Sequence, residues 1–405
     1  MSLVEELSWR GLVQQSTEPE LAAKVRAEPF TLYVGFDPTA DSLHVGSLIP
    51  LLALMRAERA GHKPIALVGG ATGMIGDPSF KSEERKLLGR DELAHNVAGI
   101  RKQLERFLDF SGGARLVDNY EWFAGYGYLD FLRDIGKLFS VNMMLGKESV
   151  RARIEDREQG ISYTEFSYLL IQAYDFLVLH DRFGCRLQLG GSDQWGNITA
   201  GIDLIRRLRG KEVYGLTMPL ILTAAGHKFG KTEKGAVWID PARTSPYEFF
   251  QFFLRVDDRD AGRFLRYYTF LDQPTIAALE EQVRVAPEKR EAQRVLAREV
   301  TALVHGADEA SKAEAAARAF FDKGTLDPSQ LPTTALSGPT PLVDALVSSG
   351  LCKSKSEARR AIEQGGVYVA DERVSDIAYV LSKPADGAGV VLQKGKRDKH
   401  YLTFE

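Results

Sequence analysis

Two short stretches carry residue types suited to phosphate chemistry. In the first, Gly35-Phe36-Asp37-Pro38-Thr39-Ala40-Asp41-Ser42-Leu43-His44-Val45-Gly46-Ser47-Leu48, a strand-like run passes through a turn of Pro and Asp into a helical pattern. A helix start offers unpaired backbone N–H groups and the positive end of its dipole to an anion, and Gly46 leaves room there for a flat ring. In the second, His227-Lys228-Phe229-Gly230-Lys231-Thr232, two lysines three residues apart flank a glycine, so two cations and a hydroxyl can embrace a polyphosphate. Taken singly, a histidine at a helix start also serves as a cap and a Lys-rich turn as a solvated loop. A third group, Tyr168, Gln172 and Asp175, falls at i, i+4 and i+7, which puts three polar side chains on one face of an otherwise apolar helix. Gly190-Gly191-Ser192-Asp193 reads as a turn opening a helix, capped by Ser192 or Asp193.

These groups need a scaffold. Apolar runs at 31–35, 64–70 and 185–190 end in glycine or turn residues and are separated by helical-period segments such as 48–60, which predicts a parallel α/β sheet. Ligands of such sheets bind beyond the carboxyl ends of the strands, so chemistry is expected just after Tyr33, Val68 and Leu189. From 245 to 321 the pattern turns helical; the Pro-, Gly-, Ser- and Thr-rich stretch 323–340 reads as a linker. The expected organisation is a Rossmann-like parallel-sheet catalytic domain over 1–244, a helical domain over 245–322, the linker 323–340, and a small α+β domain over 341–405.

Composition narrows the class. The 405 residues, 44% of them hydrophobic, suffice for two or three domains with sizeable cores. The first ten residues lack the basic start and unbroken apolar run of a secretory signal, and no stretch approaches about 18 uncharged apolar residues, so no membrane association is expected. Two cysteines, Cys185 and Cys352, are too few for a disulfide framework or a cysteine zinc site and fit a reducing cytoplasm. A net charge of −3 argues against indiscriminate coating of nucleic acid. From Pro341 onward ten Lys and Arg meet nine Asp and Glu, +1 against −4 for the rest, and Lys394, Lys396, Arg397 and Lys399 cluster near the end.

The His-x-Gly element and the later Lys-Phe-Gly-Lys-Thr resemble the HIGH and KMSKS signatures of class I aminoacyl-tRNA synthetases. Together with 33–48, the Gly69-Gly70-Ala71-Thr72-Gly73 to Asp77-Pro78-Ser79 run, 163–176, 190–201 and 227–250, they are similar to the bacterial tyrosyl-tRNA synthetases along essentially the whole chain. Two departures stand out: Ser47 replaces the second signature histidine, and Phe229-Gly230 replaces the Met-Ser of the second signature.

The resemblance implies tyrosine activation by ATP, with release of pyrophosphate, followed by transfer to the terminal ribose of tyrosine tRNA. It assigns Thr39, His44, Lys81, Arg85, Lys228, Lys231 and Thr232 to the β- and γ-phosphates in the transition state. It assigns Tyr33 and Asp175 to the substrate phenol, and Asp77, Tyr168 and Gln172 to its ammonium group. Gly191, Asp193 and Gln194 fall to the ribose and reacting carboxyl, with Gly35, Asp37, Gly46 and Ser47 lining the ATP pocket. Lys353, Lys355, Arg359, Arg360, Lys394, Lys396, Arg397 and Lys399 become RNA phosphate contacts of a module shared with a ribosomal protein. Mg²⁺ is expected to accompany ATP, with no protein metal site. The aromatic- and Met-rich insertion 122–153, with Tyr128, Phe131, Leu132, Phe139, Met143 and Met144, is expected to form a homodimer interface. A tryptophanyl-tRNA synthetase and a non-catalytic RNA-binding relative are the competing readings.

Overall fold

The computed structural model describes the chain except residues 80–86, 148–149, 152–159, 233–234, 322–330, 371, 385–388, 396–397 and 405, together with the side chains of 232 and 319–321. Two compact units result: Met1–Asp240 with Asp257–Ala292, and Pro241–Val256 with Gln293–Glu405.

The first unit is built on a six-stranded sheet of β1 (Gln15–Ser16), β2 (Thr31–Phe36), β3 (Lys63–Val68), β4 (Arg115–Asp118), β5 (Cys185–Gly191) and β6 (Tyr214–Met218). The order is β1-β6-β5-β2-β3-β4, parallel except for β1 on β6. Leu32, Tyr33 and Val34 of β2 and Pro64 to Val68 of β3 are buried without alternation, as strands covered on both faces must be. The chain runs outward from β2 through β3 to β4 and then returns to place β5 on the other side of β2. The switch point therefore lies at the carboxyl ends of β2 and β5, where Asp37 and Ser192 follow.

The helices of this unit are α1 (Leu3–Trp9), α2 (Leu21–Ala27), α3 (Leu48–Arg59), α4 (Arg90–Leu104), α5 (Tyr120–Phe123), α6 (Tyr128–Asp134), α7 (Val141–Leu145), α8 (Tyr163–Phe183) and α9 (Trp195–Arg209). A 3-10 turn, Val45–Ser47, leads into α3. Ser162 caps α8 by accepting from the Glu165 amide, and Gly184 ends it at a left-handed φ of 63°. None of the described helices is long and apolar enough to cross a membrane.

The helices of the region 245–322 are shared between the two units. They are α10 (Pro246–Leu254), α11 (Asp258–Tyr268), α12 (Gln273–Val285), α13 (Glu291–His305) and α14 (Ala307–Phe321). α11 and α12 belong to the first unit, because Ala261, Phe264, Leu265 and Tyr268 form a buried face and α11 packs on α3. α10, most of α13 and α14 belong to the second unit, where α10 packs on α14.

The end of the chain forms a five-stranded sheet, which includes β9 (Thr333–Leu336), and a two-stranded one, which includes β10 (Thr340–Pro341). The remaining strands are β11 (Val367–Val369), β12 (Glu372–Val374), β13 (Val380–Leu381), β14 (Val390–Lys394) and β15 (Asp398–Phe404). The larger sheet runs β12-β11-β14-β15-β9, with α15 (Leu342–Ser348) and α16 (Lys355–Glu363) contributing Leu342, Leu346, Ala358 and Ile362 to its core. The segment read as linker thus contains a strand: Thr333–Leu336 pairs in parallel with β15, and Leu336 enters the core. Its β-branched Thr333 and Thr334 outweigh the flanking Pro332 and Gly338.

Candidate active site

One part of the first unit is a buried polar cluster inside an apolar core. Tyr33 on β2 and Asp175 on α8 are 2% and 1% exposed. The Asp175 carboxylate accepts from Trp122 Nε1 at 2.8 Å and from Asn119 Nδ2 at 3.0 Å. Burial pushes its pKa up to about 7 against the pull of those two donors. The Tyr33 hydroxyl is held above its ordinary pKa by burial and by Asp175, and it makes no hydrogen bond. Nearby in register, Gln188 of β5 pairs with Tyr33, and its buried Oε1 also lacks a partner. Buried hydroxyls and amides left unbonded are costly, which is what a site completed by a ligand hydroxyl looks like.

Asn119 and Trp122 escaped the sequence reading. Asn119 Oδ1 accepts from the Ala71 amide at 2.6 Å and its Nδ2 also donates to Thr72 Oγ1 at 3.0 Å, so one side chain ties the loop after β3 to α8. Trp122 stood among residues expected at a dimer interface; it is 6% exposed and belongs to the pocket wall.

A second cluster lies along α8 and the start of α9. Asp77 Oδ2 accepts from Gln194 Nε2 at 2.7 Å, and Asp77 Oδ1 accepts from the Ser79 amide at 2.9 Å. Gln194 Oε1 in turn accepts from Gln172 Nε2 at 3.2 Å and from Asn197 Nδ2 at 3.0 Å. Gln172 Oε1 is buried without a partner, and Tyr168 is buried one turn earlier on the same helix. A carboxylate with a chain of amide oxygens suits a cation such as an ammonium group. Asn197 was not anticipated.

The third cluster joins the two signature stretches. His44 Nδ1 accepts from the Gly46 amide at 3.0 Å. Burial and, next, Lys231 lower the His44 pKa, so the neutral ring carries its proton on Nε2 and can donate it to a phosphate oxygen. A Cβ on Gly46 would sit 2.8 Å from His44 Cε1, so this glycine makes room for the histidine ring itself. The second stretch is stitched onto the first: the Val45 amide donates to Val237 O at 2.9 Å, Val237 to Gly230 O at 3.0 Å, and Ile239 to Leu43 O at 3.0 Å. Lys228 and Lys231 are exposed at this junction. Burial, reinforced by Asp77, raises the Asp193 pKa, while Gln194 and Lys228 oppose it; Lys228 and Asp193 therefore share one electrostatic environment.

A pocket beyond the end of β2 is lined by Asp37, Pro38, Thr39, Gly73, Ile75 and Leu88. Gly35 is open to solvent at the end of β2, Gly191 closes β5, and Ser47 ends the 3-10 turn with its amide on His44 O at 2.8 Å. Lys81 and Arg85 lie outside the described residues; Thr232 lies in the short strand β7 (Lys231–Thr232). No group of three or more His, Cys, Asp or Glu among the described residues is arranged to hold a metal.

In the second unit Arg359 and Arg360 are exposed on α16. Lys355 pairs with Asp344 at 2.7 Å, and Lys394 pairs with Glu357 at 2.5 Å while donating to Leu351 O. Lys394 is thus engaged within its own module. Lys353 is exposed, Lys399 is half-buried, and Lys396 and Arg397 lie outside the described residues.

Residues 25–322 match the family model of the class I tRNA synthetases for tryptophan and tyrosine, and residues 323–403 match that of the tyrosine–tRNA ligase SYY-like C-terminal domain. The tyrosine–tRNA ligase of Roseiflexus castenholzii is 50% identical over 423 aligned positions spanning 100% of this chain and 99% of that one. That of Geobacillus kaustophilus is 49% identical over 99% of each. Among solved structures, a C-terminally truncated mitochondrial tyrosyl-tRNA synthetase of Coccidioides posadasii superposes with a TM-score of 0.69 at 32% identity, covering 78% of this chain and 91% of that one. A tryptophanyl-tRNA synthetase of Encephalitozoon cuniculi shares the fold, with a TM-score of 0.56 at 15% identity over 76% of this chain and 87% of that one. The fold and site define a class I aminoacyl-tRNA synthetase. Within that class the chain belongs to the tyrosine–tRNA ligase family.

Proposed function

We infer that the chain activates L-tyrosine with ATP, forming tyrosyl-adenylate and pyrophosphate, and transfers the tyrosyl group to the 3′-terminal ribose of tyrosine tRNA. The observation that carries the choice of amino acid is the buried Asp175 carboxylate, held by Trp122 and Asn119, facing a Tyr33 hydroxyl that has no partner of its own. A substrate phenol donates to Asp175 and accepts from Tyr33; phenylalanine leaves the Tyr33 hydroxyl unpaired and brings Asp175 no further donor, and indole offers a donor but no acceptor.

Asp77, Tyr168 and Gln172 hold the ammonium group, and Gln194, bonded to Asp77 and Gln172, fixes their geometry. The tyrosine carboxylate attacks the α-phosphorus of ATP in line, and pyrophosphate leaves. No covalent enzyme intermediate is required, so the protein acts by positioning the reactants and by neutralising charge on the leaving phosphates. Gly35, Asp37, Gly46, Ser47, Gly191 and Asp193 line the nucleotide pocket. Thr39, His44, Lys81, Arg85, Lys228, Lys231 and Thr232 meet the β- and γ-phosphates, and the neutral His44 donates through Nε2. Mg²⁺ enters with ATP as the counter-ion of its phosphates.

Arg359 and Arg360, with Lys353, Lys355, Lys396, Arg397 and Lys399, meet tRNA phosphates, and Lys394 supports them through Glu357. The chain works in the cytoplasm as a homodimer whose contact includes α6 and α7. There Tyr128, Leu129 and Val141 are 61%, 77% and 58% exposed. Phe139 and Met144, expected in the contact, are instead buried in the core of the first unit, against which Phe131 and Met143 pack. Amino-acid-dependent exchange of labelled pyrophosphate into ATP, without tRNA, tests the assignment. Exchange with tyrosine alone supports it; exchange with tryptophan, or with none of tyrosine, phenylalanine and tryptophan, overturns it.

A further inference from the structure

The loop carrying Lys228 and Lys231 is held at its root by α11. Its base is a narrow turn in which the Thr223 amide donates to His227 O at 2.8 Å and the Phe229 amide donates to Ile221 O at 2.9 Å. Asp260, 2% exposed near the start of α11, accepts the Ala224 amide on Oδ2 at 2.8 Å and pairs through Oδ1 with Arg263. Arg263 Nη2 donates in turn to Leu222 O at 2.6 Å. On the same helix Phe264 and Tyr268 receive the Phe229 ring at centroid distances of 4.2 and 5.6 Å.

The other end of α11 is fastened to the helix that begins at the His44 turn. Arg56, 1% exposed on α3, donates from Nη2 to Tyr267 O at 3.1 Å and to Thr269 O at 2.9 Å. These are end carbonyls of α11, where a cation is favoured. One helix is therefore bonded at its far end to α3, which follows directly on the His44 turn, and along its near end to the root of the lysine loop.

We propose that α11 is a strut that sets the lysine loop in register with His44, and that Asp260 and Arg263 are positioning residues for the activation step. They touch neither substrate; they fix the root from which Lys228 and Lys231 reach the phosphates. The inference rests on the reading of those lysines as phosphate ligands.

The test uses the full chain in single-turnover formation of tyrosyl-adenylate, with tyrosine affinity measured in parallel by equilibrium binding. Asp260→Asn keeps the shape but weakens both bonds of the carboxylate; Arg263→Met, at a partly exposed site, is the second variant should the first fold poorly. Each is expected to slow adenylate formation by about tenfold with tyrosine affinity unchanged. In a Lys228→Ala, Lys231→Ala background the same substitutions are expected to add less than about a twofold further loss, because both groups they position are gone. A full, multiplicative loss in that background, or an unchanged rate in both single variants, overturns the strut. An unchanged rate for the Lys228→Ala, Lys231→Ala background alone overturns the phosphate assignment and the strut with it, which separates the two failures.

Discussion

At the scale of single residues, the free protein leaves one hydroxyl of its pocket unbonded. Because the Tyr33 hydroxyl has no partner, Tyr33→Phe removes nothing from the unliganded fold, and its thermal midpoint should match or slightly exceed that of the parent. The KM for tyrosine should rise roughly 3- to 10-fold, the worth of one neutral hydrogen bond; an unchanged KM would remove Tyr33 from the pocket. Asp175→Ala is harsher, since it strands Trp122 Nε1 as well as the phenol and leaves Asn119 Nδ2 with Thr72 alone; tyrosine activation should collapse while ATP binding persists. Asp175 also predicts a pH dependence. Its folded pKa of about 7 lies above the ordinary 3.8, so the folded state holds a proton that the unfolded state has released, and this group's contribution to stability falls as pH rises between those values. Comparing thermal midpoints of the parent and Asp175→Asn across that window isolates the effect; parallel curves would refute it. A phenol donating to the ionised carboxylate lowers that pKa, so the KM for tyrosine should fall as pH rises through about 7.

At the scale of elements, α8 was legible because a polar face at helical spacing inside an apolar run needs an explanation, and Tyr168, Gln172 and Asp175 supplied one. The strand ends were legible from their glycines. Asn119 and Trp122 were not: an isolated Asn after a short strand and a Trp in an aromatic-rich stretch carry no periodic signal, and only tertiary packing brings them to Asp175. The division of 245–322 was equally hidden, because α10 to α14 are all amphipathic and the identity of the surface each face meets is not written in its period. The lysine loop offers a prediction here. Gly230 sits at a φ of +89°, with a Cβ position 3.3 Å from the Gly46 amide nitrogen, so Gly230→Ala both strains the loop and pushes it from the His44 turn. Adenylate formation should slow by about tenfold while the thermal midpoint falls by only a few degrees, the cost of about 1–2 kcal/mol of left-handed strain; a collapse of the fold would mean that the glycine serves the fold instead.

At the scale of the whole molecule, the second unit has its own core around Leu342, Leu346, Ile362 and Leu392, so chemistry and RNA contact can be perturbed separately. Arg359 and Arg360 are exposed on α16, and each phosphate contact contributes to the salt dependence of binding. Replacing both with Ala should raise the KM for tRNA and flatten its salt slope by about one to two charges. Pyrophosphate exchange should stay at the parental rate. The assembly is probed at the opposite kind of surface. Tyr128 and Leu129 begin α6 in the open, with the Tyr128 hydroxyl 3.1 Å from that of Tyr163, itself 61% exposed. Large apolar side chains so exposed are costly to leave wet and are suited to cover by a second copy of the chain. Leu129, 77% exposed, contributes little to the monomer core, so Leu129→Asp should leave the thermal midpoint at high protein concentration close to that of the parent. In sedimentation the same variant should shift from dimer to monomer at micromolar concentration. If a carboxylate at this exposed position leaves the sedimentation unchanged, α6 is not the contact, and the exposed tyrosines there need another partner.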